Sequence, residues 1–143
     1  MIDCKFCSVL VAPDLAVALP NLILQTDTVF TVLNRRPVAP DHVSLILKAH
    51  RPQTSGLVDA DLAGLGTLTG RLSAVLEKRF QPKRVILLGD GKPSAHLHLH
   101  LIPESADTPV SLADAIADLN LAERPATLSD AELAALLPEL RRA

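Results

Sequence analysis

Residues 95–103 read AHLHLHLIP, so three of the five histidines in the 143-residue chain fall at every second position. Alternation of this kind is the mark of a β-strand, in which residues i, i+2 and i+4 share one face. His96, His98 and His100 are therefore expected in a row on one side of a sheet. Leu97, Leu99 and Leu101 turn to the other side. The three rings would stand only ~6.5–7 Å apart at their backbones. Three cations that close repel, so at least some of the rings are expected to be neutral near pH 7. A neutral imidazole can attack an electrophile, accept a proton or bind a metal. The row can thus line a polar sheet face, hold one metal ion among all three rings, or set a nucleophilic histidine between assisting neighbours.

Working outward from this strand, NLILQTD (21–27), TVFTVLN (28–34), HVSLILK (42–48) and RVILLG (84–89) read as four more strands, rich in β-branched and bulky apolar residues. Asp27 lies at the turn between the first two. RRPVAPD (35–41), with two prolines, is a loop, and DGKPS (90–94) a turn. Residues 59–80 predict a helix, because Leu62, Leu65, Leu68, Leu72 and Leu76 form one apolar stripe. Asp59 is its expected N-cap, and Gly64, Gly66 and Gly70 permit close packing against a sheet. The tail predicts a helix at 111–120 and another after Ser129, where Glu132 completes a capping-box pattern and Pro138 bends or ends the run. The fold class is α+β: a five-stranded antiparallel sheet with a long helix packed on one face and a C-terminal helical extension.

Composition narrows the function. Hydrophobic residues make up 48% of the chain and the net charge is −2, which gives no basic surface for nucleic acid. Phe6, Phe30 and Phe80 are the only aromatics besides histidine, too few for a base-stacking platform. No apolar run reaches the ~18 residues of a membrane span. The start, MIDCKFCSVL, has no basic segment leading into an apolar one, so a secretory leader is not expected and a cytoplasmic location is. In that setting Cys4-x-x-Cys7 reads as metal ligands or a redox pair.

HLHLHLI (96–102) matches every position of the His-φ-His-φ-His-φ-φ signature, where φ is apolar, and the chain resembles the histidine triad (HIT) family here. VFTVLNRRPVAPDHVSLILKAH (29–50) is similar to that family's upstream block: a strand ending in Asn34, a Pro-rich loop, His42 opening the next strand, and Lys48-x-His50 closing it. The resemblance covers roughly residues 4–103. It divides the chain into a HIT domain at 1–106 and the helical extension at 107–143.

The resemblance implies a nucleotidyl hydrolase or transferase. The middle histidine, His98, attacks the α-phosphate of a nucleoside phosphoramidate or dinucleoside polyphosphate. His100 contacts the phosphate or leaving-group oxygen, His42 supports the site, and Asn34 holds the ribose hydroxyls. It also implies a structural zinc on Cys4, Cys7, His50 and His96, no organic cofactor, a small nucleotide as partner, and a homodimer. Two departures stand out. The stretch before the triad is DGKPSAH, without the Gly-Gln-Ser/Thr found in many relatives, so Ser94 and Lys92 are the polar groups available to a phosphate. Asp41 replaces the usual glycine before the upstream histidine. The rival readings are a metal-dependent hydrolase with all three triad histidines as ligands, and a nucleotide-binding protein without turnover.

Overall fold

The computed structural model describes residues 4–90, 95–107 and 129–143, together with Ala113 and Ala117. Its elements are helices α1 (Lys5–Leu10) and α2 (Leu15–Ala18), strands β1 (Leu22–Gln25), β2 (Val29–Leu33) and β3 (Val43–Leu47), helix α3 (Asp59–Phe80), strands β4 (Arg84–Asp90) and β5 (His98–Glu104), and helix α4 (Asp130–Leu140). The sheet is antiparallel throughout, in the order β1-β2-β3-β5-β4. This is the expected α+β architecture of five strands. Lys92 and Ser94 lie outside the described residues, as does the helix at 111–120 except for Ala113 and Ala117, both of which are helical. No helix among the described residues is long and apolar enough to cross a membrane.

The period-2 pattern sorts the strands into two faces. Val29, Leu33, Val43, Leu45, Leu47 and Leu101 meet Leu65, Leu68, Leu72 and Leu76 of α3 in one core. Each fully buried leucine contributes roughly 1.5–3 kcal/mol, so Leu68→Ala would cost about 2–5 kcal/mol. The tail adds to the same core, for Leu133, Leu137 and Leu140 of α4 belong to it. The opposite face carries Leu22, Phe30, Val32 and Ile46, with Phe6, Leu10, Leu15 and Leu19 of the N-terminal segment packed over them.

Helix α3 spans the predicted range, but its cap differs from expectation. Asp59 is the first helical residue and Val58 occupies the cap position. The capping is done by Asp61, whose carboxylate accepts the Val58 N–H at 3.2 Å and the Arg51 Nε–H at 3.0 Å. Gln81, left-handed at φ 44°, ends the helix, and Pro82 prevents its continuation. Of the three glycines only Gly64 is at a close approach: a Cβ there would collide with the Thr28 hydroxyl and sit 3.0 Å from Val29 Cγ2. The tail helix shows the predicted box, with Ser129 N–H donating to Glu132 Oε2 at 2.7 Å. Pro138 is carried inside that helix rather than ending it.

One expectation about the deciding strand is corrected. β5 begins at His98, not at residue 95. Ala95 has φ 48°, which turns the chain, and the Leu97 N–H donates to Arg51 O at 2.6 Å instead of to a neighbouring strand. His96 therefore stands outside the ladder. Only His98 and His100 lie within the ladder, while His96 keeps to their side of the sheet, against Phe6, with Leu97 in the helix-side core.

Candidate functional site

The register of the sheet builds two cross-strand rows on the face away from α3. Phe30 pairs with Ile46 and Ile46 with His98; Val32 pairs with Ser44 and Ser44 with His100. The sheet thus carries an apolar surface on β2 and β3 directly into two imidazoles on β5. The rings of His98 and His100 are 4.8 Å apart in a T-shaped contact. Both are buried, as is His42.

The hydrogen bonds order the protons on these rings. His98 Nδ1 lies 2.8 Å from the His96 carbonyl oxygen. A carbonyl only accepts, so Nδ1 carries the proton and the neutral ring has its lone pair at Nε2. On the neighbouring histidines the Val38 N–H donates to His42 Nδ1 at 3.2 Å. His42 must then hold its proton at Nε2, which lies 2.8 Å from His100 Nδ1. His100 in turn holds its proton at Nε2, on the other side of its ring. Two adjacent rings thus have opposite tautomers, one with its lone pair and the other with its N–H at Nε2.

Asn34 and Ser44 continue this network. Asn34 Oδ1 accepts the Arg36 N–H at 2.9 Å, fixing the start of the Pro-rich loop. Its amide nitrogen donates to Ser44 Oγ at 3.3 Å, and Ser44 Oγ is 3.3 Å from His100 Nδ1. Ser44 is a site residue that the motif does not name. Its signal is positional: it lies two residues after His42, which immediately precedes β3, and hence on the same side.

Beside His98 is a cavity of about 240 Å³ lined by Lys5, Phe6, Val9, Leu19, Asn21, Phe30, Val32 and Ile46. Phe6 bridges the cavity and the triad, its ring 5.2 Å from that of His98 and 5.4 Å from that of His96. Sequence reading gave Phe6 no role, since one phenylalanine between two cysteines carries no pattern of its own.

His96 belongs to a second cluster. Its Nε2 is 2.7 Å from the Leu47 carbonyl oxygen, so the proton is there and the Nδ1 lone pair faces the cysteines. Cys4 Sγ is 3.3 Å and Cys7 Sγ 3.6 Å from His96 Nδ1, and Cys7 Sγ is 3.3 Å from His50 Nδ1. The four ligand atoms of Cys4, Cys7, His50 and His96 all lie within 4.8 Å of one another. Around a tetrahedral zinc, sulfur and nitrogen ligands stand ~3.3–3.8 Å apart, so the donor set fits that ion in both type and spacing. The carbonyl behind His96 is the outer partner that such a ligand takes. Desolvation by burial lowers the His96 pKa, against the Leu47 hydrogen bond and with help from His50. Burial and then Cys4 raise the pKa of the Cys7 thiol. A dication would relieve the clustering of thiols. Among the described residues this is the cluster suited to a metal, and it takes one triad histidine, not three.

Asp41 points away from the imidazoles. It helps line a small cavity with Pro40, Phe80, Pro82, Pro103 and Ser105 on the helix side of the sheet. Its φ of 64° is the left-handed conformation that favours glycine. Its Oδ1 is buried without a hydrogen bond among the described residues. Burial pushes its carboxyl up to about 6, Arg79 pulling it down and Glu139 pushing it further up.

Comparison with known proteins agrees with this geometry. A family model described as the HIT domain matches residues 17–107. A bis(5′-adenosyl)-triphosphatase from Dictyostelium discoideum is 29% identical over 88 residues, covering 58% of this chain and 59% of its own. The nitrilase and fragile histidine triad fusion protein NitFhit from Caenorhabditis elegans is 30% identical over 91 residues, covering 60% of this chain and 21% of its own. The chain therefore matches about three fifths and one fifth of the lengths of these two relatives. A zinc-bound histidine triad family protein from Mycobacterium smegmatis shares the fold with a TM-score of 0.70 and 18% identity, over 98% of this chain and 94% of that one. With its triad inside the matched segment, the chain belongs to the HIT family.

Proposed function

We propose that this protein is a nucleotidyl hydrolase or transferase acting at the α-phosphate of nucleoside phosphoramidates or dinucleoside polyphosphates, with His98 as the nucleophile. The observation that carries this reading is the His98 Nδ1 contact with the His96 carbonyl at 2.8 Å, which puts the lone pair on Nε2. The relative named a bis(5′-adenosyl)-triphosphatase supports the substrate class.

The face of the sheet supplies the order of a nucleotide. The cavity over Phe30, Val32 and Ile46 receives the base, Asn34 and Ser44 meet the ribose, and His98 and His100 meet the phosphate. In the first step His98 Nε2 forms a bond to phosphorus while the bond to the leaving group breaks. The leaving group departs with the bonding pair and, when it is an amine, with a proton from water. In the second step the hydroxide left by that proton transfer or, when the leaving group is a phosphate, a water that gives its proton to solvent, attacks phosphorus; the P–N bond breaks, and its electron pair returns to Nε2. His100 Nε2–H donates to the phosphate or leaving-group oxygen throughout, where negative charge builds. A zinc ion on Cys4, Cys7, His50 and His96 would supply a structural cross-link and no chemistry, since four protein ligands close its coordination.

The test is turnover of adenosine 5′-phosphoramidate and of diadenosine triphosphate by the wild-type chain and by His98→Ala and Asn34→Ala. Loss of turnover in His98→Ala, with Asn34→Ala mainly raising KM, supports the reading. Equal turnover in His98→Ala rejects it. AMP binding with no turnover of either substrate by the wild type would assign a nucleotide-binding role instead.

A further inference from the structure

Helix α1 is six residues long and none of them is buried. Isolated helices shorter than ~12–15 residues are marginal in water, and Cys4 at the cap position makes no capping hydrogen bond. The helix depends on its attachments. Cys4 and Cys7 tie it to His96 and His50, while Phe6 and Leu10 lie on the apolar patch of Leu22, Phe30, Val32 and Ile46. Phe6, one of the two residues between the thiols, packs on His98, at 5.2 Å between rings. Lys5, Phe6 and Val9 of the same helix form one wall of the 240 Å³ cavity. One short element thus joins two cluster ligands, a ring packed on the proposed nucleophile, and the cavity wall.

We infer that Phe6 is a positioning residue through which the Cys4–Cys7–His50–His96 cluster sets nucleotide affinity and the orientation of His98. With a metal held, α1 closes the cavity and braces the His98 ring. With the cluster empty, both supports go together. The inference rests on the function proposed above. The Phe6–His98 contact is tilted, at 58° between ring planes, and an aromatic contact is worth about 0.5–1.5 kcal/mol beyond area burial, which corresponds to roughly two- to tenfold in Kd.

The experiment measures AMP affinity by calorimetry, with metal content and Tm recorded, for the zinc-loaded full chain, Phe6→Leu, Phe6→Ala, and the chelator-treated forms of each. Phe6→Ala is expected to retain zinc, to weaken AMP binding up to about tenfold, and to lower kcat as well. Phe6→Leu recovers part of the affinity. Chelation weakens AMP binding in the wild type and adds little in Phe6→Ala, because the path is already cut. AMP binding that is equal in wild type and Phe6→Ala overturns the inference. So do losses from chelation and from Phe6→Ala that multiply. Should chelation unfold the chain, the zinc-loaded Phe6→Ala comparison decides by itself. A zinc-loaded wild type that binds no AMP removes the functional reading and this inference with it; that outcome is distinct from AMP binding that ignores Phe6.

Discussion

His42 Nε2 lies 2.8 Å from His100 Nδ1, and the two buried rings meet where the Pro-rich loop passes into β3, beside β5. The backbone N–H of Val38 starts this line of hydrogen bonds, so the tautomer of His100 is set from the Pro-rich loop at 35–41. The loop, with no reacting group of its own, thereby determines which nitrogen of His100 can donate to a phosphate.

Replacing His42 therefore acts through His100. His42→Leu removes the donor and leaves His100 Nδ1 dependent on Ser44, 3.3 Å away. A misoriented or wrongly protonated group costs on the order of 10²-fold, and the loss should fall on kcat more than on KM. His42→Gln, whose amide can still donate, should retain more activity. Steady-state kinetics on a nucleoside phosphoramidate checks both.

Asp41 makes stability depend on pH. Its carboxyl rises from 3.8 to about 6 on folding, so the folded state binds the proton more tightly than the unfolded chain. Between about pH 4 and 6 the folded state holds more protons, and stability falls as pH rises through that window. The loss is nearly complete by about pH 7 and, discounted for the carboxyl's partial exposure to solvent, amounts to on the order of 2 kcal/mol. Asp41→Gly removes both the buried carboxylate and the left-handed strain at φ 64°. It should be more stable than wild type at pH 7 and should lose that slope, as read from urea melts at pH 4, 5, 6 and 7.

The glycines of α3 should separate cleanly. Gly64→Ala places a methyl group against the Thr28 hydroxyl and 3.0 Å from Val29 Cγ2, and overpacking of that kind costs about 1–3 kcal/mol. Gly70→Ala meets nothing within 4 Å and should stabilise by up to ~1 kcal/mol through helix propensity. Thermal melts of the two variants should move in opposite directions.

The fold was largely legible because its signals are periodic. The leucine stripe of α3 and the alternation in β2, β3 and β5 each repeat with the spacing of the element they form. His42 beside the triad follows from the same alternation. What the pattern could not show depends on single backbone events or long-range contacts. The left-handed Ala95 and the Leu97–Arg51 hydrogen bond take His96 out of the strand that its spacing suggests. Asp61 carries no pattern in the sequence, where Asp59 is the expected cap, yet it is buried and ties the Arg51 loop to the start of α3. Helix α1 is too short for periodicity, and Phe6 gains its role only when the two cysteines fold it against His98.

The most direct measurement is intact-protein mass spectrometry after mixing the wild-type chain with adenosine 5′-phosphoramidate and quenching in alkali, which preserves a phosphorus–nitrogen bond. The account predicts a transient adenylyl adduct that peptide mapping places on His98 and that is missing from His98→Ala. Turnover with no adduct in the first cycle, or an adduct on another residue that persists in His98→Ala, would contradict it.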